Sequence, residues 1–238
     1  MDRIKNRISD YWSQRAEQFS ALRIKEYGSE KHILWLKEFA KYIPAGKPLD
    51  ILDVGTGTGF FALLLESAGH RVTGIDLCAE MIAEARKTAD AFGSRVNFHV
   101  MDAENPSLPT SSFDVIVTRN LTWTLPHLQE AYQSWHSLLR PGGILVNFDG
   151  DYCRESSSQP LPSEYAHKNI SSRLMREYET IKDTLRPGQR PRPEWDIELL
   201  RAAGFHNIQV DHSVWKRIYH SRDEFYNPTP IFTITAAA

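Results

Sequence analysis

The sequence predicts an α/β fold, a doubly wound and mainly parallel sheet with helices on both faces. Three observations predict it. Apolar runs suited to strands alternate with helical stretches through the middle of the chain, and the first, Leu49-Asp50-Ile51-Leu52-Asp53-Val54, suits burial on both faces. That run breaks into glycines at alternate positions, Gly55, Gly57 and Gly59, before the helix-forming Ala62-Leu63-Leu64-Leu65. Such a junction is where the backbone takes unusual angles and a ligand approaches the main chain. Three successive strands also end in acids, Asp53, Asp76 and Asp102, at the sheet edge where open α/β folds hold their ligands.

Length and composition narrow the function classes. The 238 residues suit one domain with elaborations. Lys and Arg number 28 against 30 Asp and Glu, so a net charge of −2 gives no general attraction for nucleic acid, and small molecules are the expected partners. The only cysteines, Cys78 and Cys153, form no C-x-x-C pair, which signals neither a disulfide framework nor a metal site and fits a reducing cytoplasm. No signal-like apolar start is present, and no window nears the roughly 18 apolar residues of a membrane span, so no membrane partner is expected. The oligomeric state is left open; a homodimer is one arrangement the composition allows.

The elements follow in order. Residues 2–20 space Ile4, Ile8, Tyr11, Trp12 and Phe19 as one amphipathic helix, and residues 29–42 space Ile33, Leu34, Leu36 and Phe39 as a second. Pro44, Gly46 and Pro48 then punctuate the chain before the core. After the glycine loop and its helix, residues 71–76 form the second strand, whose Asp76 lies 21 positions beyond Gly55. That is the β-α-β interval at which an acid accepts from ribose hydroxyls. Residues 79–91 are helical, and residues 96–104 give a third strand by alternation of Val96, Phe98 and Val100, with Asp102 at its end.

Residues 111–120 form the fourth strand, after which Arg119, Asn120, Thr122 and Trp123 emerge beside the ligand edge. A helix over 126–139 starts with proline and buries Leu128, Tyr132, Trp135 and Leu138. His127 stands near the edge, although a surface histidine at a helix start is its plainer reading. The fifth strand covers 144–149. Residues 150–192 exceed the minimal fold: a turn-rich start, a helix over 163–185 and a Pro- and Arg-rich connector, expected as a lid over the site. Eight basic residues oppose five acids between Arg154 and Arg192. A helix over 194–203 closes at Gly204, and strands follow at 207–214 and 231–235, one of them antiparallel.

The run from Asp53 to Gly59, D-x-G-x-G-x-G, resembles the first motif of the class I S-adenosylmethionine-dependent methyltransferases. Tyr11-Trp12-Ser13-Gln14-Arg15-Ala16 is similar to the W-x-x-R-A segment of small-molecule members. The S-F-D entry to the fourth strand, the L-x-P-G-G at Leu139 to Gly143 and the L-L-x-x-A-G-F at Leu199 to Phe205 also look like that family. The resemblance is strong over 45–150 and moderate over 194–236. It implies a seven-stranded Rossmann-like methyltransferase sheet, with S-adenosylmethionine as cofactor and S-adenosylhomocysteine as product. It divides the chain into an N-terminal helical cover (1–44), a cofactor-binding core (45–150), the lid insertion (151–192) and a C-terminal helix with strands (193–238).

The residues implied at the cofactor are Tyr11, Trp12, Asp53, Gly55, Thr56, Gly57, Gly59, Asp76, Leu77, Met81, Asp102, Ala103, Glu104, Arg119 and Asn120. Asp102 would accept from the adenine amine, and the Ala103 amide would reach a ring nitrogen. Candidates for the reaction centre are Arg119, Asn120, Trp123, His127 and Tyr152. The expected reaction is direct methyl displacement onto a small acceptor, anionic by the basic excess of the insertion, with a catalytic base needed only if the acceptor arrives protonated. DNA and glutamine methyltransferases carry [N/D]-P-P-[Y/F/W] after the fourth strand; Arg119-Asn120-Leu121-Thr122 departs from it and argues against those substrates. Two rivals stand beside this reading: a non-catalytic S-adenosylmethionine-binding protein, and a nicotinamide oxidoreductase, whose third fingerprint glycine is missing.

Overall fold

A computed structural model of the chain describes residues 3–44, 46–154, 165, 168 and 170–238. Among them, seven strands form one sheet: β1 (Asp50–Val54), β2 (Arg71–Asp76), β3 (Asn97–Val100), β4 (Phe113–Arg119), β5 (Leu139–Gly150), β6 (His206–Asp211) and β7 (Ile231–Ala237). Their order is β3-β2-β1-β4-β5-β7-β6, with β7 antiparallel to both neighbours and the β3-to-β5 ladders parallel. Chain direction across the sheet reverses between β1 and β4, so the carboxyl ends of those strands open a crevice.

The central strands β1, β4 and β5 are largely apolar because both of their faces are covered. Ile51, Val115, Val117, Val146 and Phe148 point into one core, which also takes Trp35, Phe39, Phe61 and Leu64 from α3 (Glu30–Phe39) and α4 (Phe60–Ser67). Leu52, Val54, Ile116 and Leu145 point the opposite way, against Tyr132, Trp135 and Leu200 of α6 (Leu128–Leu138) and α8 (Glu194–Ala202). Alternate side chains of one strand thus fill two separate cores.

Several elements differ from their sequence expectation. The first helix is two, α1 (Arg3–Ser13) and α2 (Ala16–Tyr27), broken around Gln14 and Arg15, where the Arg15 amide turns back to the Trp12 carbonyl at 3.0 Å. The third strand stops at Val100 because Asp102 Oδ1 accepts from the Glu104 amide at 3.0 Å and bends the chain. The fifth strand starts early: Leu139 pairs with Phe113 and Ile144 with Val115, so Pro141-Gly142-Gly143 is a bulge within β5. The strand expected over 207–214 ends at Asp211, whose Oδ1 accepts from the Ser213 amide at 2.7 Å and leads into a short α9 (Val214–Ile218). In the insertion, α7 spans Ser172–Leu185; the turn-rich start and the first part of the expected helix lie largely outside the described residues.

Candidate functional site

The glycine loop that leaves β1 is held from two sides. Gly55 sits at φ +68°, and a Cβ there would stand 2.7 Å from Leu121 Cδ2, so only glycine fits between the loop and the chain leaving β4. Gly59 at φ +87° opens α4, and its Cβ would meet Phe98 Cζ at 2.8 Å. Asp53 is buried and accepts from Thr56 Oγ1 at 2.6 Å, while the Thr56 amide donates to the Ile75 carbonyl at 2.9 Å. Burial pushes the Asp53 carboxyl up to about 7, against the Thr56 hydrogen bond.

Asp76, at the end of β2, accepts from the Gly57 amide through Oδ2 and from the Cys78 amide through Oδ1, both at 2.9 Å. It therefore braces the loop and opens α5 (Ala79–Phe92) while standing on the cavity wall. Burial also raises its pKa, opposed by those two amides. Asp102 accepts from Lys5 Nζ at 2.7 Å, and Lys5 also pairs with the buried Glu104, so α1 is tied across this edge. The Ala103 carbonyl is fixed by Trp135 Nε1 at 2.7 Å.

A single cavity runs along these strand ends. Of the residues expected from sequence, Trp12, Asp53, Gly55, Thr56, Gly57, Asp76, Leu77, Met81, Asp102, Ala103, Arg119, Asn120, Trp123 and Tyr152 line it. Tyr11, Gly59, Glu104 and His127 do not. Tyr11 is buried under Arg15, Gly59 is needed for packing against Phe98, Glu104 serves Lys5 and the His127 amide, and His127 begins α6 away from the wall. The wall also takes residues the sequence pattern did not single out: Lys5, Phe19 and Arg23 from the cover helices, Tyr178 from α7, and Tyr219, Phe225, Tyr226 and Asn227 from the link between β6 and β7.

The cavity has two ends of different character. The acids Asp76 and Asp102 stand on the β2–β3 side, next to Met81 and Trp12, which pack together with Cys78. On the β4–β5 side the wall is aromatic: Trp123 lies 5.3 Å from Tyr152 and 5.7 Å from Tyr178 between ring centroids. Tyr152 donates to Asn120 Oδ1 at 2.8 Å and accepts from Asn227 Nδ2 at 2.6 Å, which holds Asn120 in a left-handed turn at φ 54°. Burial pushes the Tyr152 and Tyr178 hydroxyls well up.

Beneath that end lies a buried polar knot. Arg192 donates to Asp196 through Nε at 2.8 Å and through Nη2 at 2.6 Å, and to Thr122 Oγ1 at 2.5 Å, with Asp149 Oδ2 at 3.4 Å from Nη1. Burial works against its charge, but Asp196 and Asp149 outweigh that and push its pKa up. Asp149 accepts from the Trp123 amide at 3.1 Å, and Gln189 donates to the Trp123 carbonyl at 2.5 Å. The connector thus fixes Trp123 from behind. Its charges are spent there and at the surface, where Arg186 pairs with Asp183 and Arg190 with Glu198, and no basic residue of the insertion lines the cavity among the described residues.

Tyr178 and Lys182 do stand at the Tyr-x-x-x-Lys spacing a nicotinamide oxidoreductase would use. A tyrosine whose hydroxyl is pushed up by burial is the reverse of an activated proton donor. No His, Cys, Asp and Glu grouping among the described residues has the arrangement to hold a metal. None of the helices described is long and apolar enough to cross a membrane.

A sheet of this order, with a glycine loop and acids at three successive strand ends, defines an open α/β fold of the class that binds its ligands beyond the carboxyl ends of the strands. A family model described as a methyltransferase domain matches residues 51–143. Phosphoethanolamine N-methyltransferase 1 of Arabidopsis thaliana is 34% identical over 137 residues, covering 54% of this chain and 26% of that protein. Phosphoethanolamine N-methyltransferase 2 of Haemonchus contortus, solved in complex with S-adenosyl-L-methionine, superposes with a TM-score of 0.60 at 19% identity, over 85% of this chain and 51% of that one. A SAM-dependent methyltransferase from Aquifex aeolicus gives 0.61 at 18% identity, over 93% and 97%. The chain spans about a quarter of the length of the plant relatives it matches. Residues 51–143 are thus similar to a methyltransferase domain, and the fold is that of the S-adenosylmethionine-dependent methyltransferases on which the chain superposes.

Proposed function

We propose that this chain transfers a methyl group from S-adenosylmethionine to a small-molecule acceptor. The observation that carries the reading is one continuous cavity, with the glycine loop and strand-end acids at one end and an aromatic, arginine-bearing chamber at the other. The residues present fit the cofactor. Gly57 holds φ +55°, and the nearest atom to its absent Cβ is Phe19 Cε1 at 3.7 Å, so the loop keeps an open cradle. In this reading Asp76 receives the ribose hydroxyls, Asp102 and the Ala103 amide the adenine, and Leu77, Met81 and Trp12 its faces. Gly55, Thr56, Arg119 and Asn120 flank the amino-acid end.

When bound, S-adenosylmethionine supplies a methyl group activated on a sulfonium sulfur. The chain's own part is to align and desolvate, and proximity alone contributes roughly 7–11 kcal/mol to a well-oriented displacement. No imidazole stands on the described wall, and the Tyr152 and Tyr178 hydroxyls are pushed away from neutral titration, so the aromatic side of the wall orients an acceptor rather than taking its proton. Tyr152, Asn120 and Asn227 form the hydrogen-bonded row that orients it. The four-part division into cover (1–44), core (45–150), lid (151–192) and C-terminal strands (193–238) belongs to the same reading: α1 and α7, packed on each other, close the cavity from outside.

Calorimetry tests the cofactor half, with micromolar binding of S-adenosylmethionine and S-adenosylhomocysteine and none of NAD as the expected result. Mass-labelled methyl transfer into a metabolite pool tests turnover. Tight NAD binding without a response to S-adenosylhomocysteine would overturn the reading, and cofactor binding with no labelled product would leave a binding protein only.

A further inference from the structure

Two guanidinium groups meet on the chamber wall around one carboxylate. Arg23 on α2 and Arg119 at the end of β4 both line the cavity, with side chains 12% and 10% exposed. Between them stands Glu26, fully buried: Oε2 accepts from Arg23, and Oε1 accepts from Arg119 Nη2 at 3.1 Å and from Trp35 Nε1 at 3.3 Å. Both carboxylate oxygens are therefore engaged. The cluster keeps one positive charge in excess, in a recess whose other walls are rings.

The Arg119 guanidinium is fixed in place. Its Cζ lies 4.6 Å from the Trp35 ring centroid and 5.3 Å from those of Phe60 and Phe61, and Nη2 also donates to Tyr219 Oη at 2.9 Å. Its Nε is buried without a hydrogen-bond partner. The excess charge costs something in the absence of a counter-ion: burial lowers the Arg23 pKa to about 9, and the neighbouring Arg119 charge adds to the effect. Asp53, the next acid on the wall, is tied to Thr56.

We propose that Arg23 and Arg119 form a carboxylate-binding subsite for the methyl acceptor, whose apolar body packs among Trp123, Tyr152, Tyr178 and Tyr226. Guanidinium is the group suited to it: Arg23 meets Glu26 through Nη1 alone, which leaves its Nε–Nη2 fork to match a carboxylate with two parallel hydrogen bonds, while Arg119, its Nη2 shared between Glu26 and Tyr219, adds charge. The positive field that the sequence located in the insertion is supplied instead by α2 and β4. The subsite deepens the methyltransferase reading of the cavity and rests on it. Arg119 ends β4, two strands from the one that ends in Asp76, and holds Tyr219 of the link between β6 and β7, so the pair shares the aromatic side of the cavity.

The test is titration of acetate, butyrate and benzoate, each against its amide, into the whole chain saturated with S-adenosylhomocysteine. At least one carboxylate is expected to bind at least tenfold more tightly than its amide. Arg23→Met and Arg119→Met are each expected to weaken that binding tenfold or more, and in Arg23→Met, whose arginine stands outside the assigned cofactor residues, S-adenosylhomocysteine affinity is expected to stay within threefold. Arg23→Lys, which keeps a charge for Glu26 but not the fork, is expected to fold and to lose most of the preference. No carboxylate binding, equal binding of the amides, or a preference untouched by all three substitutions would overturn the proposal. So would a parallel loss of S-adenosylhomocysteine affinity in Arg23→Met, which would assign the pair to the cofactor's own carboxylate. If S-adenosylhomocysteine does not bind the unaltered chain, the cofactor reading fails by itself, and the same titration on the cofactor-free chain still decides the subsite.

Discussion

Asp76 and Asp53 are both strand-end acids, but the groups around them set different tests. Asp76 accepts two backbone amides of the loop and of the next helix, so Asp76→Ala leaves both part-buried amides without their partner, at about 1 kcal/mol each. The expected outcome is a joint one: S-adenosylhomocysteine affinity falls at least tenfold by calorimetry, and the melting temperature falls with it. Normal melting and normal binding would remove Asp76 from the site. Asp53 is raised to about 7 in the folded chain from an ordinary 3.8, so between those values the folded state keeps a proton the unfolded chain has lost. Its contribution to stability therefore declines as pH rises from about 4 to about 7 and is constant above. Asp53→Asn has no such decline, and its stability relative to the unaltered chain should rise between pH 5 and pH 8 in urea unfolding; an equal difference at both pH values would refute the burial argument. The acids were legible because spacing alone puts them at strand ends. Arg23 was not, since the helix expected over 2–20 stops short of it, and only α2, which runs on to Tyr27, carries it over the cleft.

The connector and the first helix show what charge does once elements are packed. Arg192 is one of several arginines in a breaker-rich run, and composition alone counted it toward a positive field over the site. In the fold it is buried between Asp149 and Asp196. Arg192→Met would strand two buried carboxylates, and a loss of about 3–5 kcal/mol in denaturant unfolding is expected; a loss under about 1 kcal/mol would show the knot to be dispensable. Lys5 reaches from α1 to Asp102 and Glu104, so the cover helix is latched at the edge assigned to adenine. Lys5→Met should speed S-adenosylhomocysteine release about tenfold in stopped-flow measurements, a change of about 1.4 kcal/mol if association is unaltered. An unchanged release rate would make the latch a surface pair. The bulge inside β5 escaped the sequence because Pro-Gly-Gly is a turn signal, and only the pairing of Leu139 with Phe113 brings the strand in early.

Across the whole molecule, β1 and β4 were the most legible part, because apolar strands covered on both faces leave a plain pattern in one sequence. The far wall was the least legible: Tyr219 to Asn227 lie in a link with neither strong periodicity nor a glycine signature, and the β5–β7–β6 order alone brings them to the cavity. One consequence follows from how the six tryptophans are distributed. Trp35 and Trp135 are sealed in the two cores, whereas Trp12 and Trp123 stand on the cavity wall, the first beside Met81 and the second between Tyr152 and Tyr178. The molecule thus carries an optical probe at each end of its cavity. Emission changes on adding S-adenosylhomocysteine should shrink most in Trp12→Phe and those on adding a carboxylate most in Trp123→Phe, with Trp35 beneath Arg119 supplying the rest of the second signal, so the two occupancies become separately visible without any label.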